Sequence, residues 1–248
     1  MRRNIGGKLY SLVYGETTSV SLDPVEKKPL YHFHPGENIL SLGTKGCNFK
    51  CPFCQNWAIS QDLEVQTRKI TPQWVVDKAG ECKSFGIAYT YNEPFIWYEF
   101  VLDTAKLAKK NGLENVLVTN GYVNPKPLEE MLPFIGAMNI DLKSIDDEFY
   151  RKYCKGSLDP VLYTIKTSVK ACHVELTNLV IPGLNDSEED FKRLVDWIYD
   201  NAGADVPLHF SRYFPCYKLD LPITSKETLE KAYKIAKKKL RNVYLGNV

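Results

Sequence analysis

An α/β fold built on a parallel sheet is predicted by three observations. From Asn38 onward, short β-prone segments alternate with longer helical ones. Several helical segments open with a capping side chain followed by proline, or by an acidic residue three positions on, which is the chemistry of helix starts. The 248 residues, 44% hydrophobic and 25% charged, suit one substantial core rather than a disordered or collagen-like chain. Strands alternating with helices in this way favour parallel pairing through crossover helices.

The amino-terminal part reads differently. Tyr10–Tyr14 and Thr18–Leu22 are β-prone and separated by Gly15, so a hairpin or antiparallel extension is expected there. Asp23-Pro24 and Lys28-Pro29 punctuate the route to Tyr31-His32-Phe33-His34. Residues 1–37 are read as an N-terminal β extension and residues 38–248 as the main domain.

Strands are then expected at Ile39–Leu42, Ile87–Tyr91, Val116–Thr119, Met138–Leu142, Val174–Ile181 and Leu208–Arg212, with Val243–Leu245 as a candidate seventh. Between them, Thr71-Pro72, Asn124-Pro125 and Asp159-Pro160 each place a capping side chain before a proline at the first helical position. Ser187-Glu188-Glu189-Asp190 and Thr224-Ser225-Lys226-Glu227 read as capping boxes or their aspartate variant. Six or seven such units make an open doubly wound sheet, or a complete or partial barrel. Periodicity does not separate these, but each gathers ligands at the carboxyl ends of its strands. The strand-to-helix loops are therefore the places to search.

Composition removes several classes. Lys+Arg 32 against Asp+Glu 30 is too balanced to imply phosphate-backbone binding. The one basic run, Lys226 to Arg241, carries seven Lys/Arg against two Glu and reads as a solvated helix face. No stretch of about 18 apolar residues is available to span a membrane. The basic start Met1-Arg2-Arg3 lacks the apolar region of a secretory signal, so a cytoplasmic location is expected. Seven cysteines in such a chain point to metal or catalytic use rather than disulfides. No G-x-G-x-x-G, P-loop, H-E-x-x-H or G-x-S-x-G pattern occurs, which removes the main support for dehydrogenase, NTPase, zincin and serine-hydrolase activities.

The first strand-to-helix loop carries Cys47, Cys51 and Cys54 at C-x₃-C-x₂-C spacing. Three nearby thiolates can hold three irons of a cubane cluster, whereas full ligation usually takes four. The missing fourth ligand leaves one iron open to a substrate or cofactor. Structural zinc is the competing use, but it wants four closed ligands, and only His32 and His34 upstream are conceivable partners. Three buried structural cysteines are the remaining alternative.

Cys47, Cys51, Phe53 and Cys54 form a C-x₃-C-x-Φ-C pattern similar to the signature of the radical S-adenosylmethionine (SAM) superfamily. The likeness continues through Tyr91-Asn92-Glu93-Pro94, Thr119-Asn120-Gly121, Asp141-Leu142-Lys143-Ser144, Val180-Ile181-Pro182-Gly183 and His209-Phe210-Ser211-Arg212-Tyr213. Together they resemble the pyruvate formate-lyase-activating-enzyme branch. Asp23 to Phe33 and Gln55 to Ser60 resemble its AmmeMemoRadiSam group, and the match covers roughly residues 5–247.

The resemblance implies a partial (β/α)₆-type TIM barrel behind the short N-terminal β extension, with a [4Fe–4S] cluster on Cys47, Cys51 and Cys54 at its top. The open iron would chelate SAM. Reductive cleavage would then give methionine and a 5′-deoxyadenosyl radical that abstracts hydrogen from a protein or small-molecule substrate, glycyl-radical activation of a protein among the options. A reducing donor such as flavodoxin or ferredoxin is implied as partner, and neither a membrane nor a nucleic acid is.

The resemblance also implies residue roles. Glu93 would accept from the SAM ammonium, with a helix-capping charge before Pro94 as the plain alternative. Asn92 offers polar groups in the same loop. Asp141 and Lys143 flank Leu142 and so share one strand face; Lys143 would reach the SAM carboxylate or ribose, or simply pair with Asp141. His209 would reach the nucleoside, against a buried hydrogen-bonded histidine. Phe53 would pack beside adenine. One departure stands out: activating enzymes commonly carry aspartate before the Thr-Asn-Gly motif, and here that position is Val118, leaving Thr119 or Asn120 for the ribose.

Cys82 and Cys172 fall in helical patterns and read as core; Cys154 and Cys216 show no ligand spacing. The readings from other classes are a non-catalytic iron–sulfur or zinc protein, with no need for Glu93, Lys143 or His209, and an RNA-modifying radical enzyme.

Overall fold

The computed structural model describes residues 1–248. Its main sheet has eight strands. In chain order they are β4 (Ser19–Pro24), β5 (Asn38–Gly43), β7 (Gly86–Tyr89), β8 (Glu114–Thr119), β9 (Ala137–Asp141), β10 (His173–Val180), β11 (Leu208–Arg212) and β12 (Val243–Gly246). They lie side by side in that same order, β5 to β12 all parallel and β4 antiparallel against β5. The two edge strands, β4 and β12, do not pair, so the sheet curves into a barrel that stays open on one side.

Alternation along each strand divides the residues between two environments. Leu40, Leu42, Ile87, Leu117, Ile140, Leu176 and Phe210 face outward into the main core. The helices covering them are α2 (Pro72–Glu81), α3 (Tyr98–Lys110), α4 (Pro125–Met131), α6 (Asp159–Ser168), α7 (Glu188–Ala202) and α8 (Lys226–Ala236). Each contributes an apolar stripe, such as Phe191, Leu194, Val195 and Ile198 in α7. Two short helices, α1 (Trp57–Ser60) and α5 (Asp147–Phe149), sit in loops.

The helix starts follow their capping chemistry with two exceptions. Thr71 accepts from Trp74 N, Ser187 and Asp190 close a reciprocal capping box, and Ser225 accepts from Thr228 N. The Asn124 side chain makes no capping bond, and Asp159 lies inside α6, whose cap is Leu158. In both, proline at the start already presets the backbone and removes one orphan donor. Thr224 is buried one residue before the Ser225 cap, and its hydroxyl donates to the Val180 carbonyl at 2.6 Å.

The expected hairpin around Gly15 is not formed. Tyr10 lies in β2 (Lys8–Ser11) opposite Arg3 of β1 (Arg2–Ile5), and Val20 lies in β4 opposite Leu42 of β5. Between them β3 (Glu16–Thr17) pairs with β6 (Arg68–Lys69). Gly15 serves both a turn, closed by Glu16 N on the Val13 carbonyl at 2.9 Å, and this crossing. Its φ is +69°, its carbonyl accepts from Ile70 N at 2.8 Å, and a Cβ there would stand 2.7 Å from the Ile70 oxygen. Six register pairs with β5 outweigh a five-residue hairpin arm as a partner for β4.

Residues 25–37, between β4 and β5, turn into the barrel. Val25 and Leu30 are fully buried against the inward side chains Ile39, Ala88, Val116 and Ala137. Asn139 Nδ2 then donates to the Pro29 carbonyl at 2.8 Å, His32 N donates to Glu175 at 2.7 Å, and His32 Nε2 lies 2.6 Å from the Tyr244 hydroxyl. This plug runs from the β4 edge to the β12 edge and forms the floor of whatever the barrel holds. The basic run of α8 is solvated as expected, with Lys231, Lys239 and Arg241 paired to Glu188, Asp196 and Asp205. No helix is long and apolar enough to cross a membrane.

Candidate active site

Above the plug lies a cavity of about 650 Å³, walled by inward residues of the strands and roofed by the loop after β5. Cys47, Cys51, Cys54, Phe53, Asn92, Glu93, Asn120, Asp141, Lys143 and His209 all line it. Most arrive from the carboxyl ends of β5, β7, β8 and β9, the arrangement expected of a barrel site, while His209 projects from near the start of β11.

The cysteine loop is held by side chains from the next two strand ends. Asn92 Oδ1 accepts from Thr44 N at 3.1 Å and its Nδ2 donates to the Gly46 carbonyl at 2.7 Å. Asn120 Nδ2 donates to Asn48 Oδ1 at 2.7 Å and reaches the Cys47 sulfur at 3.6 Å. The Phe49 N–H donates to the same sulfur at 3.4 Å. Asn92 and Asn120 thus spend their amides on the loop, while still facing the cavity.

Burial pushes the Cys47 thiol up to about 12. A hydrogen bond with Cys154, then burial, pushes Cys51 well above the usual thiol value, and burial raises Cys54 as well. These are thiols that ionise only when a cation shares their site. No group of three or more His, Cys, Asp or Glu side chains is arranged around a point for one metal ion. A cubane offers each thiolate its own iron, so what it needs is three cysteines around one cavity. The residues present fit a [4Fe–4S] cluster and not a closed zinc site. His32 and His34, the conceivable zinc partners, do not line the cavity.

Glu93 is 2% exposed and caps the short 3₁₀ turn Pro94–Trp97 by accepting from Phe95 N at 3.1 Å. It also accepts from the Thr119 hydroxyl and from Asn120 N, both at 2.8 Å. Burial pushes its carboxyl up to about 7 against these three donors. A carboxylate has about four lone-pair positions, so one remains for a donor in the cavity.

Lys143 Nζ pairs with Asp141 Oδ2 at 2.8 Å. Burial opposes the charged lysine, but Asp141 outweighs it and holds it well above its usual value. Phe53 is 3% exposed and packs against Phe149 with the rings tilted at 43°. His209 is 3% exposed, with Nε2 2.6 Å from Glu175 Oε2. Val118 faces the cavity beside Asn139 and Thr177, whose hydroxyl donates to Asn139 Oδ1 at 3.0 Å.

Two groups escaped the sequence. Cys154, fully buried beside Cys51, is brought there by the turn after α5, whose Cys154 carbonyl accepts from Lys50 N at 2.9 Å. Cysteine spacing carries no trace of that. Glu175, fully buried on β10, had one usable signal: a carboxylate inside a strand, set between the apolar Val174 and Leu176. The expected core residues Cys82 and Cys172 are only half-buried, because one caps the end of α2 and the other follows the end of α6.

A family model described as the radical SAM superfamily matches residues 41–198. An uncharacterized protein of Methanocaldococcus jannaschii is 47% identical over 252 residues, covering 100% of this chain and 75% of its own length. The pyruvate formate-lyase-activating enzyme of Clostridium pasteurianum is 25% identical over 219 residues, 79% of this chain and 89% of that enzyme. Among solved structures, a domain of the pyruvate-formate lyase-activating enzyme from Bacteroides vulgatus ATCC 8482 aligns with a TM-score of 0.58 at 20% identity. It covers 65% of this chain and 99% of that one, a likeness of fold.

Proposed function

The chain belongs to the radical SAM superfamily, and we propose that it cleaves SAM reductively in the cavity above the plug and uses the product to abstract hydrogen from a substrate bound there. Its fold is the partial barrel of that superfamily, its relatives include activating enzymes, and the cofactors of the family are a [4Fe–4S] cluster and SAM. The observation that carries the reading is the meeting of Cys47, Cys51 and Cys54 with Glu93, Lys143 and His209 around one cavity.

When bound, the cluster supplies the electron that splits SAM into methionine and a 5′-deoxyadenosyl radical. The protein's part is position and exclusion. Cys47, Cys51 and Cys54 hold three irons, on a loop tied down by Asn92 and Asn120. Glu93 directs its remaining lone pair at the SAM ammonium, a charge-assisted contact. Lys143, kept cationic by Asp141, faces the SAM carboxylate or ribose. Phe53 and His209 bound the nucleoside. Val118 offers the ribose no hydrogen bond, but Asn139 stands next to it on β9, with Thr177 one strand further on.

Relatives named as activating enzymes of pyruvate formate-lyase favour a protein substrate; glycyl-radical activation as its chemistry and a flavodoxin or ferredoxin as donor complete the proposal. Anaerobic reconstitution with dithionite and SAM, followed by product chromatography, tests the reaction class. Formation of 5′-deoxyadenosine and methionine supports it; an intact cluster that yields neither would favour a non-catalytic iron–sulfur protein.

A further inference from the structure

Glu175 lies on β10 at an inward position and is fully buried. Three hydrogen bonds with good geometry converge on it, and the Tyr31 backbone N–H lies nearby. The His32 backbone N–H donates to Oε1 at 2.7 Å, and His173 Nε2 lies 3.0 Å from the same oxygen. His209 Nε2 lies 2.6 Å from the other oxygen, Oε2. Burial alone would raise this carboxyl, but bonds from His173 and His209 and from the backbone of His32 and Tyr31 outweigh it and hold it near 2.

An ionised carboxylate only accepts, so both imidazoles must carry hydrogen on Nε2. In the neutral ring of His209, that leaves Nδ1 as an acceptor. The ring has little freedom to turn. Tyr31 of the plug meets it edge-on at 4.7 Å, and Tyr244 stacks on it at 5.1 Å. His209 lines the cavity, so the nitrogen available there is Nδ1.

We propose that Glu175 is a positioning residue that sets the hydrogen-bonding polarity of this wall: it holds His209 with Nδ1 turned to the cavity as an acceptor for a hydroxyl or amino N–H of the nucleoside, and couples that setting to the seating of the plug through His32. The inference rests on the reading that the nucleoside of SAM lies beside His209. It makes the floor and the wall one unit, with a single carboxylate joining them.

Glu175→Gln tests it, because the substitution keeps shape and reverses polarity at one atom. Oε1 receives two donors, so the carbonyl of glutamine belongs there and its NH₂ faces His209. His209 Nε2 must then accept, and its hydrogen moves to Nδ1, as happens when an orienting carboxylate becomes an amide in a catalytic triad. Long-range ¹⁵N–¹H NMR on histidine-labelled, reconstituted enzyme reads the tautomer directly. The native protein should show His209 as Nε2–H and the variant as Nδ1–H, with SAM affinity about tenfold weaker and cluster content unchanged. A native His209 carrying hydrogen on Nδ1 would overturn the proposal without any variant, so a folding failure of Glu175→Gln does not shelter it.

His209→Ala provides the second arm. If Glu175 acts through His209, adding Glu175→Gln to that background should cost no further SAM affinity. A further loss as large as in the native background would mark Glu175 as merely structural and sink the proposal. Unchanged SAM affinity in His209→Ala alone would instead overturn the placement of the nucleoside, leaving the tautomer to be decided by NMR.

Discussion

The side-chain amide of Asn120 and the sulfur of Cys47 meet across 3.6 Å, linking the end of β8 to the first cysteine of the loop after β5. The same residue gives its backbone N–H to Glu93 at 2.8 Å, so one asparagine touches both the cysteine loop and the carboxylate that faces the cavity. Its role is more connective than its place in a Thr-Asn-Gly motif suggests.

Asn120→Ala should lower the reduction potential of the bound cluster, because a donor to a cluster sulfur stabilises the more negative reduced form. A hydrogen bond contributes roughly 0.5–1.5 kcal/mol, which corresponds to about 20–60 mV for one electron. Potentiometry followed by EPR checks this. An unchanged potential would mean that the amide only holds Asn48.

Replacing Cys47, Cys51 or Cys54 with Ala should lose the cluster, whereas Cys154→Ala should retain it. Cys154 neighbours Cys51 but faces the core rather than the cavity. Iron and sulfide analysis of the four reconstituted variants separates ligand from neighbour, and full cluster content in any of the first three would refute the ligand set.

Glu93→Gln should weaken SAM binding by about 10- to 100-fold, since a bond to a charged group contributes roughly 1.5–3 kcal/mol. The glutamine NH₂ would also face one of the three donors now served by Glu93, so a stability loss of about 1–3 kcal/mol is expected. SAM titration and urea unfolding measure the two effects separately. Equal SAM affinity in both proteins would reduce Glu93 to a helix cap.

Glu175 makes stability depend on acid in a defined window. Its value near 2 lies below the ordinary 4.5, so the folded chain binds fewer protons than the unfolded one between those limits. The contribution, about 3 kcal/mol at about 1.4 kcal/mol per pH unit, is present above roughly pH 4.5 and lost as the pH falls through about 2. The stability gap between the native chain and Glu175→Gln should therefore close across that range in urea titrations. A gap that stayed constant would show that the carboxylate charge is not what stabilises the fold there.

Lys28 and Asp23 form a buried pair at 2.8 Å, with the Tyr91 hydroxyl donating to the same carboxylate at 2.6 Å. Burial opposes that charge, yet Lys28 and Tyr91 hold Asp23 well below the usual carboxylate range. Lys28→Met should destabilise the chain by about 3 kcal/mol, and adding Asp23→Leu should recover part of it. Urea midpoints of the two variants decide this; a double variant weaker than the single one would show that the charge itself is required.

Strand alternation and cap chemistry made β5 and β7 to β12 legible to within one or two residues, and the motif loops pointed at one barrel end. That worked because each signal is local: a β-prone run, a capping serine, three cysteines in eight residues. What sequence could not reach is what the chain assembles from afar. Gly15 turns the chain as a glycine should, but toward a crossing with Ile70 rather than into a hairpin. Lys28 looks like surface charge and is 2% exposed beneath Tyr91. Cys154 is more than a hundred residues from its neighbour Cys51. Glu175 gains its meaning only when His32, His173 and His209 converge on it.

The bond between His32 and Tyr244 joins positions 212 residues apart, with the whole sheet between them. Closing so long a chain costs entropy that no local contact repays in advance. During synthesis, Val25 and Leu30 of the floor can be covered once β9 has been made, whereas His32 must wait for its partner until the final strand has left the ribosome. An iron–sulfur cluster delivered before that moment would meet a site whose floor is not yet tied to its last wall.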